Sequence, residues 1–256
     1  MLEHSEVFGL AFSSMTQAEL VANATSVPIV KGAGPRSIYT ANLDHIVQLR
    51  RNTRLRGAYS KAWAITADGM PVFLYAKARG AGVPARVTGS DLFGDILLSL
   101  IAENHRCFFV ANADKTARLL VEWLVTRGFD RSSIDCEVPP PGFENNIPYS
   151  ANLASRIRAH GTTHLFFGVG APKSEIWIND YRAELGDCYV LSAGSGLDFF
   201  VGIKRRAPRS LQRFGLEWLW RFSTEPRRLF RRYFIDSWSF VAAISEDIRH
   251  HGSPTF

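Results

Sequence analysis

Cysteine is scarce, with Cys107, Cys136 and Cys188 the three in 256 residues. They are odd in number, far apart and set among apolar residues, which suits reduced core thiols better than a disulfide framework or a metal cluster. No run approaches the roughly 18 consecutive apolar residues of a membrane-spanning helix. The opening Met1-Leu2-Glu3-His4-Ser5-Glu6 is acidic where a secretion signal is basic, so a cytosolic protein is expected. Internal repeats and low-complexity linkers are missing too. With 46% hydrophobic and 21% charged residues the composition is globular, which excludes disorder, collagen and coiled coil. No glycine loop ends in Gly-Lys-Ser/Thr, so a Walker-type nucleotide triphosphatase is excluded. Asp-x-Asp, the metal-diphosphate clamp of many nucleotide-sugar enzymes, does not occur; Asp135-Cys136-Glu137 is the nearest thing and lies within a predicted strand. The seven histidines (His4, His45, His105, His160, His164, His250, His251) show no metal-ligand spacing beyond the adjacent terminal pair. Any bound diphosphate would have to be neutralised by Arg or Lys.

What is present in excess is positive charge, and it is concentrated. Between Val201 and Ile235 stand ten Lys or Arg against Glu217 and Glu225, a local charge of +8 in a chain whose total is +6. A near-neutral body therefore carries one basic segment, which should meet something anionic. Trp218, Leu219, Trp220, Phe222, Phe230 and Phe234 are interleaved with those charges. Basic residues beside large apolar ones are what a helix lying in a membrane interface uses. The same pattern is also a footprint of a nucleic-acid-binding module, although the neutral body and the lack of an RNA or DNA motif speak against one.

From Cys107 onward short apolar runs alternate with helical patterns. Strands are predicted at Cys107 to Ala111, Ile134 to Val138, His164 to Gly168 and Cys188 to Ala193. Helices are predicted at Asp114 to Arg127, near Tyr149 to Ala159, and at Lys173 to Leu185. Such alternation means a parallel sheet with both faces covered. The first third is less regular, with a helix expected at Leu43 to Arg51, a short strand near Ala62 to Thr66 and a helix beginning at Ser90-Asp91. The expected fold is α/β, a Rossmann-like mostly parallel sheet with helices on both faces, followed by a basic amphipathic helical appendage. The division falls at residues 1–200 and 201–256, with Pro208 and Pro226 separating two or three appendage helices.

Ligands of open α/β sheets sit beyond the carboxyl ends of strands. Gly168-Val169-Gly170-Ala171-Pro172-Lys173-Ser174-Glu175 joins an apolar strand to a helix, with Pro172 suited to a first helical turn. A helix start with a lysine beside it attracts phosphate, but the spacing alone does not separate this from a plain turn. Ala193-Gly194-Ser195-Gly196 is ambiguous in the same way. Gly80-Ala81-Gly82-Val83-Pro84-Ala85 fits a loose dinucleotide fingerprint, yet Pro84 interrupts the helix that should open there, so a loop is expected. Thr40-Ala41-Asn42 and Ala67-Asp68-Gly69 place small polar groups and one carboxylate at element ends, where they serve either as caps and turns or as catalytic groups.

Taken in order, Thr40-x-Asn42, Ala67-Asp68-Gly69, Arg86-Val87-x-Gly89-x-Asp91, Gly170-x-Pro172-Lys173-x-Glu175 and Arg206-Ala207-Pro208…Gly215-Leu216-Glu217-Trp218-x-x-Arg221…Glu225-Pro226-x-Arg228-x-x-Arg231-x-Tyr233 resemble the WecG/TagA/CpsF glycosyltransferases, glycosyltransferase family 26. The resemblance implies inverting, metal-independent transfer of a hexose-type sugar from a UDP-sugar to a polyprenyl-diphosphate-linked saccharide, in building bacterial surface polysaccharide. It implies Asp68 as general base flanked by Thr40 and Asn42, and a donor pocket with Gly170, Pro172, Lys173 and Glu175. Arg221, Arg228 and Arg231 would stabilise the diphosphate, with no metal and no other cofactor. The enzyme would sit at the inner face of the cell membrane, its appendage on anionic lipid, without nucleic acid and with a homo-oligomer left open. The family usually has Gln where Ser174 stands. A member that has lost catalysis and acts as an assembly partner is the remaining alternative.

Overall fold

A computed structural model describes residues 6–102, 104–208, 211, 217–224, 230 and 237–251. Helix α1 (Gln17–Ser26) precedes strand β1 (Arg36–Ala41), and α2 (Leu43–Arg51) and α3 (Thr53–Ser60) lead to β2 (Ala64–Ala67). Then come α4 (Met70–Ala78), α5 (Gly89–Ser99), β3 (Cys107–Val110), α6 (Asp114–Thr126) and β4 (Ile134–Glu137). The body ends with α7 (Ile147–Ala159), β5 (His164–Phe167), α8 (Lys173–Asp180), β6 (Tyr189–Ser192) and α9 (Gly196–Phe200). Two further described helices follow, α10 (Glu217–Thr224) and α11 (Ser237–His251).

The six strands form one parallel sheet in the order β2-β1-β6-β5-β3-β4. Neighbouring side chains alternate between two cores, as the period of 2 along a strand requires. Tyr39, Ile65, Phe108, Val110, Phe167 and Val190 face α2, α3, α7 and α8. Ile38, Ala64, Cys107, Phe109, Phe166 and Leu191 face α1, α5, α6 and α9. Strands buried on both sides read as apolar runs, which is why β3, β5 and β6 stand out in the sequence, whereas the edge strand β4 is only half-buried after Ile134. The Cys107 and Cys188 thiols are buried and Cys136 is half-buried, and all three are free.

Three expectations need adjusting. The helix predicted to reach Leu185 stops at Asp180, where Glu184 N–H turns back to the Tyr181 carbonyl and the chain tightens from an α-helix into turns. Pro172 precedes α8 as its cap instead of sitting in its first turn. Strand β1 has no counterpart among the expected strands, because Ser37 and Thr40 break its apolar run although both are buried.

Phe93 of α5 is the hub of the second core. Its ring meets Phe166 at 5.0 Å, Phe200 at 5.5 Å and Phe109 at 6.5 Å, each edge to face. Phe93→Ala should lower stability by about 3–5 kcal/mol, the range for truncating a buried aromatic. Denaturant unfolding measures it, and a loss below about 1 kcal/mol would contradict the assignment of Phe93 as the hub.

Helix α11 returns to the body. Phe240 and Ala243 join the first core, and the buried Asp247 carboxylate accepts from Phe8 N–H (2.6 Å) and Tyr75 O–H (2.9 Å). It also pairs with Arg79 at 3.2 Å, both side chains being nearly inaccessible. Arg50 of α2 reaches Glu246 and the Ser239 carbonyl on the same helix.

Candidate active site

Five strands end in one cavity of about 320 Å³. β1 contributes Thr40, and β6 contributes Ser192. The residues just past β2, β3 and β5 contribute Asp68, Asn112 and Gly168. This is where the open-sheet rule places a ligand. The cavity wall is completed by Asn42, Asp44, His45, the starts of α5 and α8, the Gly194-Ser195-Gly196 turn, Lys204 and Glu217.

Each member is positioned by local chemistry. Asn42 caps α2, its Oδ1 accepting from the Asp44 and His45 amides at 3.0 and 3.4 Å. Thr40 Oγ1 lies 3.5 Å from Asp68 Oδ2, and the Tyr59 hydroxyl donates to the Thr40 carbonyl at 3.0 Å. Arg86 donates to the Asp68 carbonyl at 3.2 Å, holding the loop after β2. Gly170 has φ +86, a left-handed backbone that suits glycine. A Cβ on Gly196 would stand 3.1 Å from the Ser90 backbone, so glycine there lets α5 and α9 meet at the rim.

At the β3 end a buried carboxylate organises a cation. Asp198 accepts from Thr116 Oγ1 (2.7 Å) and Asn112 Nδ2 (3.0 Å), and Lys204 Nζ sits 3.2 Å from its Oδ2. Lys204 is thereby fixed in the cavity wall as a positive charge. In the middle of the floor Glu175 is buried, and burial pushes its carboxyl up to about 7, against its own backbone amide and the Ser192 hydroxyl.

The basic segment enters through Arg206, whose guanidinium pairs with both Asp91 oxygens and donates to Thr88 Oγ1 at 3.2 Å. Glu217, the first residue of α10, lies 3.7 Å from Arg206 Nε. Burial works to raise the Asp91 carboxyl, but hydrogen bonds from Arg206 and Thr88 and the nearby Arg206 and Arg86 charges outweigh it and hold it below its usual range. One arginine thus ties the start of α5, the cavity rim and the start of α10.

Among the residues expected from sequence, Thr40, Asn42, Asp68, Gly170 and Glu175 come together in this cavity. Lys173 is drawn aside to Glu144 at 3.4 Å and is half exposed, and neither it nor Pro172 is part of the lining. Arg228 and Arg231 lie outside the described residues, and Arg221 belongs to α10 without a described side chain. Sequence reasoning missed Asn112, Ser192, Asp198 and Lys204. Asn112 and Ser192 carry the signal that found Asp68, a polar group at the end of an apolar strand. Among the described residues no group of three or more His, Cys, Asp or Glu is placed to hold a metal.

A wider cleft of about 760 Å³ lies between α2, α3 and α11. Its arginines are already engaged: Arg50 with Glu246, Arg51 with Ser239 Oγ, and Arg56 with the Leu49 and Arg50 carbonyls. Converging polar groups at strand ends, and not size, single out the smaller cavity.

Over 220 residues the chain is 28% identical to an N-acetylglucosaminyldiphosphoundecaprenol N-acetyl-beta-D-mannosaminyltransferase of Bacillus spizizenii, covering 86% of this chain and 82% of that one. It is 22% identical over 230 residues to a Staphylococcus aureus protein of the same description, covering 88% and 87%. Residues 5–253 match the Glycosyl transferase WecG/TagA/CpsF family, so nearly the whole chain, body and basic segment together, takes part in the likeness. The chain, an α/β sheet that brings Thr40 and Asp68 at its strand ends into a cavity also lined by Glu175 and Lys204, therefore belongs to the WecG/TagA/CpsF family of glycosyl transferases.

Proposed function

We propose that the protein transfers a hexose-type sugar, with inversion and without a metal, from a UDP-sugar to a polyprenyl-diphosphate-linked saccharide during synthesis of a bacterial surface polysaccharide. The observation that carries this reading is the Asp68 carboxylate beside Thr40 at the mouth of a glycine-lined cavity. Asp68 takes the proton of the acceptor hydroxyl as that oxygen attacks the anomeric carbon. The bond from that carbon to the diphosphate oxygen breaks in the same displacement, which inverts the centre. Thr40 and Asn42 orient the reacting sugar. Gly170 permits close approach of backbone to donor, and Lys204 joins Arg221, Arg228 and Arg231 in neutralising the departing UDP.

The relatives described above act between an N-acetylmannosaminyl group and N-acetylglucosaminyldiphosphoundecaprenol, so an N-acetylhexosamine donor is the first to try. No described helix is long and apolar enough to cross a membrane. The exposed Trp218, Leu219, Phe230 and Trp238 next to the basic charges support a seat on the inner membrane surface, where a polyprenyl acceptor is confined.

The test is UDP release over a panel of UDP-sugars with a short-chain polyprenyl-diphosphate saccharide. One donor should turn over, and the rate should survive EDTA. Loss of activity in EDTA, restored by magnesium or manganese, would contradict the metal-independent mechanism. Donor binding without any turnover would favour the inactive assembly partner.

A further inference from the structure

A second concentration of positive charge lies within the body. Arg50, Arg51, Arg54, Arg56 and Lys61 fall in a stretch of twelve residues that holds no acid. Arg50, Arg51 and Arg56 line the wide cleft between α2, α3 and α11. Arg50 is balanced by Glu246, and Arg54 by Asp180. Arg51 donates instead to the Ser239 hydroxyl and Arg56 to the Leu49 and Arg50 carbonyls, and among the described residues no carboxylate pairs with either. Neutral partners leave the charge of a guanidinium available to an anion. Two such cations on a cleft also lined by Phe8, Leu10, Ile46 and Leu49 suit an anionic group joined to an apolar chain.

The cleft is joined to the catalytic cavity. Asp44 lines both that cavity and a groove of about 460 Å³, and Arg51 lines both the groove and the cleft. Asp44, Val47, Gln48 and Arg51 are spaced i, i+3, i+4, i+7, so one face of α2 forms the path between them. From Asp44 to Arg51 the helix rises about 10 Å, on the scale of a sugar ring carrying a diphosphate. The path opens beside the proposed base. Thr40 and Asp68 end β1 and β2 on the α2 side of the sheet, while Asp198 and Lys204 lie toward β3 at the other end of the cavity.

We propose that this path binds the acceptor: its saccharide lies over Asp44 and Gln48 with a hydroxyl toward Asp68, its diphosphate rests on Arg51 and Arg56, and the first isoprene units of its chain enter the cleft. The Asp44 carboxylate, which accepts from the Gln48 amide at 2.8 Å, has further lone pairs for a sugar hydroxyl. Trp238 and Val241, exposed on α11, offer apolar surface beyond the cleft. This rests on the reading of the protein as a transferase to a polyprenyl-diphosphate-linked saccharide.

Steady-state kinetics of the full chain test it, with N-acetylglucosaminyl diphosphate carrying either an ethyl group or a farnesyl chain as acceptor and the UDP-sugar that the donor panel selects. Arg51→Gln should raise KM about tenfold or more for both acceptors, the scale of a charge-assisted contact, while KM for the donor stays within about twofold. Gly57 lines the cleft from α3, and a Cβ there meets no atom within 4 Å. Gly57→Phe therefore fills the cleft from a helical position that tolerates a side chain, and the melting temperature should not fall. It should raise KM about tenfold for the farnesyl acceptor and less than about twofold for the ethyl one, a difference that a damaged fold would not produce. Lys61→Gln, which removes an exposed cation of the same cluster outside the path, should change neither value. If Arg51→Gln leaves both KM values unchanged and weakens only binding to anionic vesicles, the arginine serves the membrane and the inference falls. It falls equally if Gly57→Phe affects both acceptors alike or neither. Wild type that turns over neither acceptor with any donor would overturn the transferase reading itself, and the inference with it.

Discussion

Asp68→Asn should lower turnover by roughly a hundredfold or more while donor affinity stays within about twofold, the usual scale for removing a positioned base. Asn keeps the shape of Asp, and the Asp68 backbone carbonyl that Arg86 holds is present in both. The loop after β2 should therefore keep its fold, and melting temperature should barely move. What is lost is the capacity to take a proton, a demand that arises only as the acceptor attacks. The defect thus falls on kcat and not on binding of UDP. Near-normal turnover in this variant would remove Asp68 from the role, and a matching loss of donor affinity would make it a binding residue.

The second large effect belongs to the basic segment. Replacing Arg221, Arg228 and Arg231 together by Gln should reduce turnover at least about a hundredfold even with a water-soluble acceptor, because charge stabilisation on the leaving diphosphate acts on the transition state. Replacing Arg227 and Arg232 should instead weaken binding to anionic vesicles by about 1 kcal/mol per charge and leave turnover of a soluble acceptor largely intact. The two sets are neighbours in sequence and differ by only one charge (+3 against +2), so overall electrostatics cannot explain a hundredfold split between them. If both sets lower soluble turnover alike, or neither does, the assignment of three arginines to the reaction fails.

The sheet was legible in the sequence where burial is complete. Cys107-Phe108-Phe109-Val110 and His164-Leu165-Phe166-Phe167 are apolar on both faces, and their parallel pairing follows from the helices between them. β1 was hidden by Ser37 and Thr40, and Thr40 is polar for the same reason that it lies at the cavity. Asp68 and Gly170 could be found because they stand at the ends of elements. Lys173 read as a phosphate ligand because its partner, Glu144, arrives from a distant loop that no local spacing reveals. Asp198 was unreadable for a similar reason. Its partners Asn112 and Thr116 come from the far end of another β-α unit, and only the fold brings them together.

Asp247 gives the basic segment a second point of attachment. Arg206 grips the body at one end and Asp247 locks onto Phe8, Tyr75 and Arg79 at the other, so the chain between them is tethered at both ends. Closing a loop of roughly forty residues costs only about 0.6 kcal/mol more than closing one of twenty. Cutting the chain just before Ser237 keeps every one of those arginines and removes only the second anchor, and turnover should nonetheless fall if they act on the departing diphosphate.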